Sequence, residues 1–270
     1  MSYMLKSGLI GLLLLTLVVS CKNEKKETKA VEITESAVTE TVALTPVETI
    51  EKAYNKEAFL SHDAISLDMV INFGGNERLN GKMTFLTNST KGKIELNDGA
   101  SIYYDGAKVF HSKNLKNEKA ARFDAYTWMY FLLFPNKLSD DGTIWSDVET
   151  LNLDDTAYNA QTLTFEANTG DAPDDWYIVY SDPKTHMIDY VAYIVTVNKS
   201  KAAAESDPHA IGYTNYKMIE DVPVAHHWEF YEWSKDNGLG KVIGNATLSN
   251  VEFVKADADT FSIPEGFVEK

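Results

Sequence analysis

The chain has 270 residues, 44% of them hydrophobic and 24% charged, which is globular composition and excludes a largely disordered chain. Forty Asp and Glu against 25 Lys and Arg give a formal net charge of −15, which argues against nucleic-acid binding and against docking on a bare anionic membrane surface. A single cysteine, Cys21, excludes an intramolecular disulfide framework and a cysteine-based zinc site.

Residues 1–20 read as a processing segment. Lys6 supplies a positive start, and Leu9 to Val19 is an eleven-residue apolar run. That run is shorter than the ~20 residues a membrane span needs and suits a signal-peptide core. It ends in Val18-Val19-Ser20-Cys21, which resembles a bacterial lipobox. The resemblance implies cleavage after Ser20 and lipidation of Cys21, hence a membrane partner at the N-terminus. Residues 21–45 follow as a polar tether of Lys, Glu, Thr, Val and Ala with no aromatic residue. Fully extended, it would reach on the order of 80 Å. The run Lys22–Lys29 reads as solvation rather than as a surface-display signal.

A single domain is expected over 46–270. Thr45-Pro46-Val47-Glu48 matches a capping box with proline in the first turn, and Ile50, Ala53, Tyr54 and Ala58 share a helical face that runs to about His62. The period then becomes two. In 65–73, Ile65, Leu67, Met69, Ile71 and Phe73 share one side; 79–87 and 91–97 alternate likewise. Tyr103–Val109 holds an Asp105-Gly106 hairpin signal. Residues 119–134 break the alternation with a helix-length run, apolar nearly all round from Trp128, that Pro135 ends. Strands resume at about 148–153, 158–166, 175–182, 187–197, 211–220, 225–234 and 242–255, with 198–210 a loop. The fold class expected is mainly β (α+β): a large curved antiparallel sheet, an open half-barrel of about ten or eleven strands, with an N-terminal helix and an apolar helix near 119–134. In 187–197 and 225–234 both faces are apolar, so the sheet must be covered on both sides or line a hollow.

Three stretches of the last third carry a family likeness: Trp176–Ile188 (WYIVYSDPKTHMI), Asp221-Val222-Pro223-Val224 ahead of an aromatic strand, and Val251-Glu252-Phe253 ahead of Phe261–Phe267 (FSIPEGF). With the lipobox and the buried helix, this layout resembles the LolA/LolB/LppX-like lipoprotein-carrier half-barrel, and the uncharacterised outer-membrane lipoproteins of Bacteroidota that share it. The resemblance implies a concave apolar face for acyl chains or another hydrophobic ligand. The chain departs from a soluble carrier in being anchored itself, which argues against shuttling.

Catalytic and metal motifs are missing. The six histidines have no HExxH or comparable spacing, and His226 and His227, adjacent on a strand, point to opposite faces. Asp140-Asp141, Asp154-Asp155 and Asp174-Asp175 sit beside turn residues. No G-x-S-x-G or S-x-x-K constellation is present, and no cofactor is implied. The expected ligand contacts are Trp128, Phe131, Leu132 and Phe134 of the apolar run, with Tyr190 from a later strand. The leading reading is therefore a lipid-anchored, non-catalytic envelope protein of the outer membrane that binds a hydrophobic ligand. An interaction or structural module without a small ligand stands second, and a hydrolase third.

Overall fold

The computed structural model describes residues 43–197 and 199–270. The signal segment, Cys21 and nearly all of the tether lie outside the described residues. The domain opens with helix α1 (Pro46–Ala53), whose capping box is formed in both directions: Glu48 N donates to Thr45 Oγ1 at 3.2 Å, and Thr45 N donates to Glu48 Oε2 at 2.7 Å. The single helix expected up to His62 is two. Asn55 takes a left-handed φ of 51°, and α2 (Lys56–Ser61) restarts beyond it. Asparagine tolerates this conformation because its short side chain lightens the steric penalty.

Strands β1 (Ala64–Phe73), β2 (Asn76–Leu86), β3 (Lys91–Leu96), β4 (Ser101–Asp105) and β5 (Lys108–His111) form a meander. The β4–β5 turn is the expected tight hairpin: Asp105 pairs with Lys108, and Gly106 carries the positive φ that a two-residue loop demands. A 3₁₀ turn at Glu118–Ala120 leads into α3 (Ala121–Leu133), and a second at Phe134–Asn136 ends it around Pro135. The chain returns through β6 (Thr143–Trp145), β7 (Glu149–Leu153), β8 (Thr156–Phe165), β9 (Tyr177–Ser181), β10 (Ile188–Tyr193), the short α4 (Lys201–Glu205), β11 (His209–Ile219), β12 (Val222–Ser234), β13 (Gly238–Val254) and β14 (Val268–Glu269).

All pairings are antiparallel. The order is β14-β5-β4-β3-β2-β1-β13-β12-β11-β10-β9-β8-β6, with β7 also pairing β8. Among the described residues, fourteen strands replace the ten or eleven expected. Two of the additions, β6 and β14, are edge segments of three and two residues, too short for alternation to register. The loop expected at 198–210 contains α4, capped by Ser200 through its contact with Ala203 N. The first and last strands of the order do not pair, so the sheet is an open half-barrel. Among the described residues no helix is long and apolar enough to cross a membrane.

The main core lies on the concave side, where Ile65, Leu67, Met69 and Ile71 of β1 join Met83, Phe85, Tyr104, Val179, Val191, Ile211, Trp228 and Phe230 around α3. A second apolar cluster occupies the other face of the same strands, with Tyr158, Ala160, Tyr180, Ala192, Ala210 and Trp233 buried together. This explains the two-faced pattern in 187–197 and 225–234. Ile188 departs from it and belongs to the main core, because the β9–β10 ladder shifts register between Ile188 and Tyr190.

Candidate functional site

Helix α3 does not fill the half-barrel evenly. Its C-terminal end is pinned from below, where buried Tyr213 donates its hydroxyl to Phe131 O at 3.0 Å, satisfying one of the carbonyls that a helix end leaves unpaired. Its N-terminal half is held by Asp124, a carboxylate only 4% exposed. Arg78 of β2 donates to Asp124 Oδ1 at 2.7 Å, and Trp128 Nε1 donates to the same oxygen at 2.9 Å. Burial raises the Asp124 pKa, against the opposing pull of Arg78.

Along the other flank of α3 runs a groove of about 490 Å³. Phe123, Tyr126, Met129, Tyr130 and Phe131 form its helical wall; Phe165, Tyr177 and Val195 form the sheet wall. A second hollow of about 290 Å³ shares Phe123, Thr127, Phe131 and Val195 with it and adds Phe73, Arg78, Trp128 and Tyr193. The groove is roofed by the segment 166–175, which is clasped to α3. Arg122 Nε donates to Asp171 Oδ1 and Oδ2 at 2.9 and 3.1 Å, Arg122 Nη1 donates to Ala107 O at 3.0 Å, and the guanidinium lies 5.1 Å from the Tyr126 ring centre. The same segment is anchored at its far end by Asp175, whose Oδ1 accepts both Thr196 N and Thr196 Oγ1 at 2.7 Å. Burial raises the Asp175 pKa, opposed by those two hydrogen bonds and reinforced by Asp174 and Asp171.

The five expected ligand contacts separate. Phe131 borders both hollows and Trp128 borders the smaller one. Leu132 faces a small void beside Tyr54 and Trp228, and Phe134 is fully enclosed between Tyr130 and Tyr177. Tyr190 lies on the opposite face of the sheet, against Tyr158 and Tyr231 and over Gly212, and is not brought to the groove. Sequence reasoning missed Tyr177, Tyr193 and Val195, and it missed the Arg122–Asp171 clasp. The strand residues could have been found from alternation, since Tyr193 and Val195 share a face with Val191. The clasp joins residues 49 apart through a turn-rich segment and left no periodic signal.

Among the described residues no group of three or more His, Cys, Asp or Glu side chains is placed to hold a metal ion. His226 is buried, with Nδ1 3.1 Å from Leu248 O.

A family of unknown function, DUF6503, matches residues 82–238, a span that runs from β2 through α3 and the groove to the β12–β13 turn. The chain belongs to this family. No curated protein matches the DUF6503 chain. Among solved structures it is similar to a LolA superfamily protein from Nitrosomonas europaea, with 11% identity, 82% of this chain and 99% of that one covered, and a TM-score of 0.55. A putative outer membrane lipoprotein-sorting protein domain from Vibrio parahaemolyticus has 12% identity over 80% of this chain and 95% of that one, with a TM-score of 0.47. The lipoprotein LppX of Mycobacterium tuberculosis has 12% identity over 78% and 99%, with a TM-score of 0.25. The first of these establishes the fold of this DUF6503 member as the LolA-like half-barrel.

Proposed function

We propose that this DUF6503 chain is a non-catalytic cell-envelope protein, anchored in the outer membrane by a lipid on Cys21, that holds the apolar part of an amphiphile in the groove beside α3. The observation that carries the reading is the groove itself, about 490 Å³ of space walled by aromatic and aliphatic side chains along the edge of the main core. That volume lies in the range of small-molecule sites. Each methylene moved from water into it would contribute roughly 0.8 kcal/mol. The LolA-like fold supports the reading. The lipobox, with the chain's sole cysteine at its end, supports the anchor.

The test is native mass spectrometry with lipid extraction on the chain from Lys22 to Lys270, exported behind a cleavable secretory signal so that no acyl group of its own competes. The expected result is a co-purifying amphiphile or stoichiometric uptake of an added one. A folded chain that stays empty and takes up neither monoacylglycerols, fatty acids nor phospholipids would overturn the proposal.

A further inference from the structure

The charged groups lining the groove are unevenly matched. There are two cations, Arg122 and Lys137, and four carboxyl groups, Asp140, Asp141, Asp171 and Asp175. Both cations are already engaged: Arg122 with Asp171, and Lys137 with Asp140 and, at 2.8 Å, with Ser89 Oγ. Arg78, which borders the adjoining hollow, is engaged by Asp124 at 2.7 Å. Asp141 has no cationic partner among the described residues, and Asp175 is held by Thr196 alone. A carboxylate or phosphate entering this space would meet surplus negative charge and no free cation, a combination that costs free energy in a partly desolvated site. Uncharged hydrogen-bonding groups are present instead. Tyr130 and Tyr177 line the groove and Tyr193 lines the adjoining hollow. None of their hydroxyls bonds to a protein group among the described residues, and burial keeps all three phenols neutral by raising their pKa. A neutral phenol can donate to an ester, amide or hydroxyl oxygen and accept from a hydroxyl.

We infer that the groove discriminates by head-group charge: it takes an acyl chain whose polar end is uncharged, an ester, amide or hydroxyl head, and rejects the matched carboxylate. This rests on the groove reading proposed above and goes beyond it, since apolar walls alone would take both. With Arg122 and Lys137 paired, the unmatched carboxyl groups are the exposed Asp141, shortly after α3, and the buried Asp175, at the far end of the roofing segment, so surplus negative charge lies on two separate segments of the lining.

The experiment compares a matched pair, dodecanoate and its monoglyceride, displacing a neutral fluorescent alkyl probe from the Lys22–Lys270 chain at pH 8. The monoglyceride is expected to bind at least about tenfold more tightly, and the gap to narrow as added salt screens the carboxylates. Asp140→Asn, which releases Lys137 from its partner, is expected to improve dodecanoate binding severalfold. Dodecanoate binding as tightly as the monoglyceride overturns the selectivity while leaving the groove as a ligand site. Binding of neither overturns the groove reading, and the selectivity with it. A gap that Asp140→Asn and salt both leave unchanged overturns the electrostatic cause.

Discussion

Phe131 and Phe134 lie three residues apart on the same short stretch, and truncating each to alanine should cost different amounts. Phe134 is 0% exposed and enclosed, with the rings of Tyr130 and Tyr177 each 5.4 Å away. Phe131 is 3% exposed and packs against Tyr193 at 4.9 Å, but it also borders both hollows. Phe→Ala substitutions in cores cost about 3–5 kcal/mol, in proportion to the cavity left by incomplete collapse. At Phe134 the new void is closed on all sides, so Phe134→Ala belongs at the top of that range. At Phe131 part of the ring already faces open volume, so fewer packing contacts are lost and Phe131→Ala belongs near about 3 kcal/mol. With a urea m-value of about 3 kcal/mol/M for a domain of this size, the midpoints should fall by about 1 M for Phe131→Ala and about 1.5 M for Phe134→Ala, with m unchanged. Equal shifts or the reverse order would refute the claim that α3 has one packed flank and one open flank. Shifts below about 0.5 M for both would refute the packing of this helix altogether.

Thr45→Ala removes the Oγ1 acceptor of Glu48 N, one half of the capping box of α1, and leaves the backbone N–H that donates to Glu48; it should cost about 1 kcal/mol, read as a urea midpoint shift. Gly81→Ala would place a Cβ 2.5 Å from Glu95 O, a backbone atom that cannot step aside, and should cost about 1–3 kcal/mol by the same measurement. Arg122→Met cuts the clasp to Asp171; because both groups are partly exposed the loss of stability should stay under about 1 kcal/mol, while amide exchange in 166–175 accelerates and exchange in β1 does not. Asp175→Asn carries a pH signature. The raised pKa of Asp175 means that the folded chain binds this proton more tightly than the unfolded chain, so the side chain's contribution is most favourable below its unfolded pKa and is lost as pH rises through its folded pKa. Asparagine keeps the oxygen that accepts from Thr196 and carries no charge, so the variant should match or exceed the native chain in urea midpoint at pH 7 and lose that advantage near pH 4. An advantage that grows on acidification would contradict the burial cost.

Much of the fold was legible because local chemistry and global packing agree. The apolar alternation in 65–73 places Ile65, Leu67, Met69 and Ile71 in the concave core, and the Thr45–Glu48 pairing and the turn at Gly106 are as their residues imply. The all-round apolar character of α3 read as burial, which holds for Trp128 and Leu133 and, just past its end, for Phe134. It also hid the distinction that matters for the site. A helix apolar on every side gives no sign of which flank meets the sheet and which borders space, so Leu132 and Phe134 were grouped with Phe131. Tyr190 was grouped with them for a related reason. Alternation says that two faces of a strand differ, not which one faces the helix, and the register shift after Ile188 inverts the simplest assignment. The roofing segment was opaque because its anchors, Arg122–Asp171 and Asp175–Thr196, are made between residues that meet only in the folded chain.

The central claim is that an acyl chain lies beside α3, and tryptophan quenching by a bromine-labelled dodecanoyl monoglyceride tests it most directly. Of the five tryptophans, Trp128 borders the hollow that continues the groove, Trp145 and Trp228 pack in or against the main core away from that hollow's lining, and Trp176 and Trp233 lie together in the cluster on the other face of the sheet. Bromine quenches only at close range, so the expected result is saturable quenching of the native chain that is largely lost in Trp128→Phe. An absence of quenching at saturating ligand, or quenching that a Trp128→Phe/Trp145→Phe double variant leaves intact, would contradict a ligand in this groove.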